Sequence, residues 1–153
     1  MTLTRLSDDP VLTLEVEVSA PIDIGDSPSG HRRCVPITGG RFHGMVVGQV
    51  LPGGADWQTV TASGTLEIEA GYVLKTDAGA LIEVRSTGLR AGPPQVLAAL
   101  GRGEAVPPDH YYFRTMIRLT TAEPTLAALN DQLFIAAGER QAGIVVLTVY
   151  AVA

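Results

Sequence analysis

Asp56, Tyr72, His110 and Arg114 have the chemistry to move a proton or steady an oxyanion in this 153-residue sequence. Asp56 stands in "LPGGADWQTV", beside Trp57, the single tryptophan of the chain. Burial of such an aspartate raises its pKa toward the range useful for a general acid or base. The stretch "DHYYFRTMIRL" spaces His110, Tyr112 and Arg114 two apart, the repeat of one face of a strand. That face would carry an imidazole that titrates near neutrality, a phenol donor, and a planar permanent cation suited to a carboxylate or enolate. With Asp56 or His110 shuttling the proton, and Arg114 and Tyr72 holding the oxyanion, the set would serve a cofactor-free isomerase, cyclase or lyase. Trp57, Tyr72, Tyr112 and Arg114 are the corresponding candidates for ligand contact.

Each candidate also has a plainer reading. In a strand "DWQTVT", Asp56 and Trp57 point to opposite faces, so one of them enters an interior and the other does not. The bare approach Gly53-Gly54-Ala55 favours Trp57 as a wall or core plug, with Asp56 near a barrel mouth bonding backbone amides. The 110–118 face could equally be solvated, with Arg114 paired to a surface carboxylate. A buried Tyr72 needs only one structural hydrogen bond. Thr76, Asp77 and Asn130 read as turn and cap residues. His31 and His43 lack a third ligand at metal spacing, so no metal is expected, and no cofactor motif is present. Cys34, the only cysteine, reads as a small buried apolar group.

Strands must position these residues. "VLTLEVEV" at 11–18 alternates Leu12, Leu14, Val16 and Val18 with Thr13, Glu15 and Glu17, the period of a half-buried strand. "LEIEAGYVLKT" repeats it and sets Tyr72 inward with Leu66, Ile68, Ala70 and Leu74. "TDAGA" at 76–80 then makes a three-residue hairpin loop with Gly79 available for a positive φ. Closing Thr76 on Ala80 puts Leu74 against Ile82 and Tyr72 against Val84 inside, with Lys75 opposite Leu81 and Arg85 diagonal to Glu69 outside. Further strands are expected at 32–38, 41–51, 56–62, 111–120, 132–137 and 142–152. Gly44 and Gly48 share a side with Phe42, Val46 and Val50, leaving room that Trp57 could fill. Short helices are expected at "PPQVLAALG" and, more weakly, "EPTLAALN". The long interruption from Gly88 to Asp109 is placed to cross one end of a barrel. Many short strands and few helices predict an all-β barrel or sandwich in a single domain over 1–153.

Composition narrows the partners. The formal net charge is −5, and the 11 basic residues, ten of them arginines, form no basic stripe, so neither nucleic acid nor an anionic membrane is an expected partner. The N-terminal segment lacks an apolar signal core and no run is long enough for a membrane helix, which reads as a cytoplasmic protein. "GIVVLTVYAV" is apolar on both faces and must be covered on both sides. A homo-oligomer interface through 142–152 is one way to do so.

In order along the chain, "VPITGGRFHG", "GQVLPGGADWQ", "GYVLKTDAGALIEVRSTG", "YYFRT", "ALN" and "VYAV" resemble the bacterial domain of unknown function family 3237, also called uncharacterised protein family 0311. The likeness runs from about residue 12 to the C-terminus. Its matching positions include Gly39, Gly40, Gly44, 53–57, Tyr72, Thr76, Asp77, Gly79, Gly88, Tyr112, Phe113, Arg114 and Asn130; Ala78-Gly79 stands where relatives carry Asp-Gly directly. The resemblance implies an antiparallel calycin-like β-barrel and implies no reaction.

A small barrel interior is either filled by side chains or open to one small ligand. Three functions follow: a barrel that binds a small organic metabolite in its interior or mouth, the cofactor-free enzyme outlined above, or a packed barrel that acts as a protein-interaction module. Pocket functions rank first, and the fold favours no reaction among them.

Overall fold

The computed structural model describes residues 3–153. Ten strands run in chain order: β1 (Leu12–Val18), β2 (Ile22–Ser27), β3 (Gly30–Gly44), β4 (Gly48–Val50), β5 (Ala55–Val60), β6 (Leu66–Thr76), β7 (Leu81–Ala91), β8 (Tyr112–Thr121), β9 (Phe134–Gln141) and β10 (Ile144–Ala151). Antiparallel pairing proceeds β1-β10-β9-β8-β7-β6-β5-β3 and returns to β1, which closes an eight-stranded barrel; β2 and β4 are extra strands laid along β3. Closure removes the exposed edges that an open sheet of this length would present.

The 76–80 hairpin has the expected register, with Leu74 opposite Ile82, Tyr72 opposite Val84 and Lys75 opposite Leu81. Its turn is held by Thr76 N donating to Ala80 O at 2.8 Å and Ala80 N donating to Thr76 Oγ1 at 2.9 Å. Two strand expectations need correction. The segment 32–38 and the start of 41–51 share one long strand, β3, which bends through Gly39-Gly40 where β1 shifts register after Glu17 and continues to Gly44; the rest of 41–51 breaks at 45–47 before the short strand β4. The edge strand β2 was not anticipated, because its exposed "IDIGDS" lacks a buried apolar face. Gly44 and Gly48 are bare for a reason other than Trp57: a Cβ there would strike the Val11 and Lys75 carbonyls of neighbouring chain segments.

The interior divides into two halves along the barrel axis. At one end Leu12, Leu14, Phe42, Leu74, Ile82, Ile117, Leu119 and Phe134 are almost fully buried and fill the lumen. The 3-10 segment Pro124–Asp131 closes this end with Leu129, tied down where Asn130 accepts from Thr121 N at 2.8 Å and donates to Thr121 O at 3.0 Å. At the other end the inward residues become smaller or polar: Ala70, Tyr72, Ser86, Arg90 and Thr115. Helix α1 (Pro94–Gly101), which starts at prolines as expected, lies over this mouth with Leu100 buried beneath it. Cys34 is buried. On β10, Leu147, Val149 and Ala151 are buried inward, while Ile144, Val146, Thr148 and Tyr150 are half-buried on the outer side. Among the described residues no helix is long and apolar enough to cross a membrane.

Candidate functional site

The polar half of the lumen is a cavity of about 260 Å³. β5 reaches it through the Gly53-Gly54 turn. Gly53 has φ +104°, a region L side chains rarely adopt, and a methyl on Gly54 would lie 2.5 Å from both the Gly71 carbonyl oxygen and Tyr72 Cβ. The two glycines therefore let β5 dock closely on β6. In that register Asp56 sits opposite Val35 and Ala70 and points inward, leaving Trp57 outside and 45 % exposed. Trp57 as a wall or core plug is thus corrected: a strand presents adjacent residues to opposite faces, and the aspartate takes the inner one.

Asp56 is held from one side. Arg33 Nε donates to Gln58 Oε1 at 2.6 Å, and Gln58 Nε2 donates to Asp56 Oδ2 at 2.6 Å. Asp56 Oδ1 is buried without a hydrogen-bond partner in the protein, as are Tyr72 OH, Arg90 Nε and Thr115 Oγ1, and all four residues line the cavity. Burial pushes the Asp56 carboxyl up from 3.8 to about 6, although Gln58 and the Arg90 charge pull it back. The Tyr72 phenol is raised by burial and then by the nearby Asp56 charge. Arg90, only 6 % exposed, is lowered to about 10 by burial and by the charges of Arg33 and Arg140. It remains a cation at neutral pH. Arg90 also stands 6.0 Å over the Phe113 ring.

Asp56 and Tyr72 therefore meet in one cavity, whereas Arg114, Tyr112 and His110 are outside it. On β8 the buried face is Phe113, Thr115, Ile117 and Leu119. Their odd parity sends Arg114 and Tyr112 to solvent, where Tyr112 is 54 % exposed, Arg114 NH1 donates to the Phe113 carbonyl at 2.9 Å, and the guanidinium stands 5.5 Å from the Tyr112 ring centroid. The apolar side won the lumen because burying it gains more than burying the charged side. His110 ends an exposed 3-10 turn, Pro108–His110. The cation that does line the cavity with Tyr72 is Arg90, which pairs with Leu66 further along the hairpin toward the mouth.

Arg33, Gln58, Arg90 and Arg140 were missed. A signal for them was present. Arg90 continues the inward parity of Ile82, Val84 and Ser86, Arg140 that of Phe134 and Ala136, and Arg33 that of Val35 and Ile37. A charge that extends an apolar parity marks an inward cation.

A closed antiparallel barrel, filled at one end and polar and hollow at the other under a short helix, is the class of protein this fold and site define. The chain belongs to the family described as "Protein of unknown function (DUF3237)", whose model matches residues 7–152. It is similar to the UPF0311 protein blr7842 of Bradyrhizobium diazoefficiens, 38 % identical over 93 % of each chain. The crystal structure of the conserved protein of unknown function RPA1785 from Rhodopseudomonas palustris is 38 % identical and superposes with a TM-score of 0.92 over all of both chains. A beta-barrel like protein from Acinetobacter baumannii, 33 % identical, gives 0.85 over 100 % of this chain and 98 % of that one. An enzyme from Penicillium herquei, 17 % identical, gives 0.73 over 100 % and 97 %, a likeness of fold alone.

Proposed function

We propose that the hollow half of the barrel binds a small organic molecule. One observation carries this reading: Asp56 Oδ1, Tyr72 OH, Arg90 Nε and Thr115 Oγ1 are buried around one cavity without partners in the chain. Each such atom costs about 1–3 kcal/mol in lost solvation, and an apolar replacement at each position would remove that cost. A bound molecule that bonds to several of them offsets it instead. The volume, about 260 Å³, lies near the lower end for ligand pockets, so the ligand is a metabolite rather than a lipid or a polymer.

A second reading, proton transfer, is favoured by the Arg33–Gln58–Asp56 chain. It fixes one oxygen of a carboxyl that titrates near 6 and leaves the other free toward the cavity, the arrangement a general acid or base needs. In this reading Arg90 and Tyr72, with no part for Arg114 or His110, face the developing charge.

The test of binding is a thermal-shift screen of small organic acids, lactones, phenols and enones against the protein and its Ala70→Phe variant, whose ring would occupy the cavity. A ligand at a hundred times its Kd adds about 2.7 kcal/mol of stability. Stabilisation lost in Ala70→Phe is the expected result; a ligand that stabilises both proteins equally binds elsewhere and sinks the reading.

A further inference from the structure

We propose that the molecule held in this cavity is a small organic acid, bound as its carboxylate with Arg90 and Arg140 as its charge partners. This rests on the reading that the hollow half is a binding site, and it names the ligand's charge.

The argument is electrostatic. Arg33, Arg90 and Arg140 all face the cavity, and among the described residues Asp56 is the only carboxylate that lines it. A fourth lining arginine, Arg102, is paired at the exposed mouth with Glu104 at 2.6 Å. Three guanidiniums are thus set against one lining carboxylate, with Asp23 a further negative charge acting on Arg33 alone among them, in a chain whose formal net charge is −5. The local excess of positive charge opposes the sign of the whole protein, so composition does not explain it. The cations also press on one another: Arg33 and Arg140 both destabilise the charge on Arg90, which Asp56 offsets only in part, and Arg33 does the same to Arg140.

Within the chain these cations are not equally free. Arg33 is committed through its Nε to Gln58. Arg140 gives NH1 to the carbonyls of Gln141 and Ile144. Arg90, the most buried of the three, has no partner at Nε. A buried cation held among like charges is costly unless an anion pairs with it. A neutral ligand would satisfy hydrogen bonds and leave the repulsion in place, whereas a carboxylate relieves both and matches the guanidinium fork. The rest of the wall, with Val16, Val35, Ile37, Ile68 and Leu147, is apolar, which calls for an organic body behind the charge rather than a bare inorganic anion.

The experiment uses titration calorimetry at pH 7.5 with benzoate, phenylacetate and cinnamate, each beside its neutral amide, and with inorganic phosphate. A charge-assisted hydrogen bond is worth about tenfold or more in affinity, so each carboxylate that binds should exceed its amide by about that factor. The preference should vanish in Arg90→Met, which keeps the length of the side chain. Amides binding as well as acids would overturn the anion while leaving the interior as a binding site. Phosphate matching the carboxylates would overturn the organic acid. Binding by neither series would remove both readings. Melting the ligand-free protein supplies a second check: Arg90→Met should raise Tm by roughly 3 °C or more, because a repelled buried cation has been removed. An Arg90→Met protein with a lowered Tm, or one that does not fold, would show that the guanidinium is satisfied by the chain and would overturn the proposal.

Discussion

Replacing Asp56 by asparagine should stabilise the protein at neutral pH and leave it unchanged in acid. The Asp56 carboxyl titrates at about 6 in the fold against 3.8 as a free side chain. The native state therefore binds this proton more tightly than the unfolded state does. Between pH 3.8 and 6 the native chain carries the extra proton, so stability falls as the pH rises through that window and levels off above it. The full loss is the difference of about 2.2 units, or about 3 kcal/mol at 1.36 kcal/mol per unit. Gln58, Arg33, Arg90, Tyr72 and the Glu69 backbone act on Asp56, and all of them remain in Asp56→Asn, which imitates the protonated carboxyl. Paired thermal melts from pH 3.5 to 8 isolate this group, because every other titrating side chain is common to both proteins. The expected difference is near zero below pH 4 and grows to as much as about 3 kcal/mol above pH 6.5, roughly 6 to 12 °C in Tm for a domain of this size. A variant less stable than the parent by the same amount at pH 4 and pH 8 would refute the reasoning. It would mean that the carboxylate is well solvated or fully paired in the fold.

Other changes separate the site from its scaffold. Tyr72→Phe removes a buried hydroxyl that has no partner in the chain, so the ligand-free protein should keep its stability or gain up to about 1 kcal/mol, read by urea unfolding. Gly54→Ala should cost more than about 1 kcal/mol and lower Tm, since its methyl would press on Gly71 and Tyr72. Asn130→Ala breaks both bonds to Thr121 at the filled end and should cost about 1–3 kcal/mol without altering affinity for any ligand of the cavity. Arg114→Ala lies on the outer face and should change stability by no more than about 0.5 kcal/mol. Loss of ligand binding in Arg114→Ala alone would move the site out of the barrel.

Parity was the legible part of this chain. Alternation in 11–18 and 66–75, together with the Thr76–Ala80 turn, was enough to set the inward faces of β1, β6 and β7 and to place Tyr72 inside, because a one-residue slip would have moved Leu74 and Ile82 into water. Parity failed where both faces carry large side chains. In "YYFRTMIRL" each face holds an aromatic residue, and in "DWQTVT" Trp57 on one face competes with Asp56, Gln58 and Val60 on the other, so the choice depends on what the strands opposite need. Chemical plausibility misled at His110 and Arg114, which look like a site in the sequence and are solvated in the fold. The arginines that do enter stand alone at the ends of largely apolar rows, where parity is the one local sign of them.

That isolation has a physical meaning along the barrel axis. Three inward rows change character midway: Ile82 and Val84 give way to Ser86 and Arg90 on β7, Leu119 and Ile117 to Thr115 on β8 before Phe113 resumes the apolar row, and Phe134 and Ala136 to Gly138 and Arg140 on β9. Because neighbouring strands run antiparallel, the polar ends fall at the C-terminal end of β7 and the N-terminal end of β8 and still meet at one mouth. A change that reverses direction from strand to strand cannot arise from local composition and requires the closed register. The filled half supplies the apolar burial that stabilises the barrel, and the hollow half can then hold cations and orphaned donors that would be unfavourable alone. Apolar substitutions at the mouth should therefore raise stability and remove binding. The same kinds of substitution at Leu74, Ile82 or Phe134 have no such latitude, since those positions are already packed.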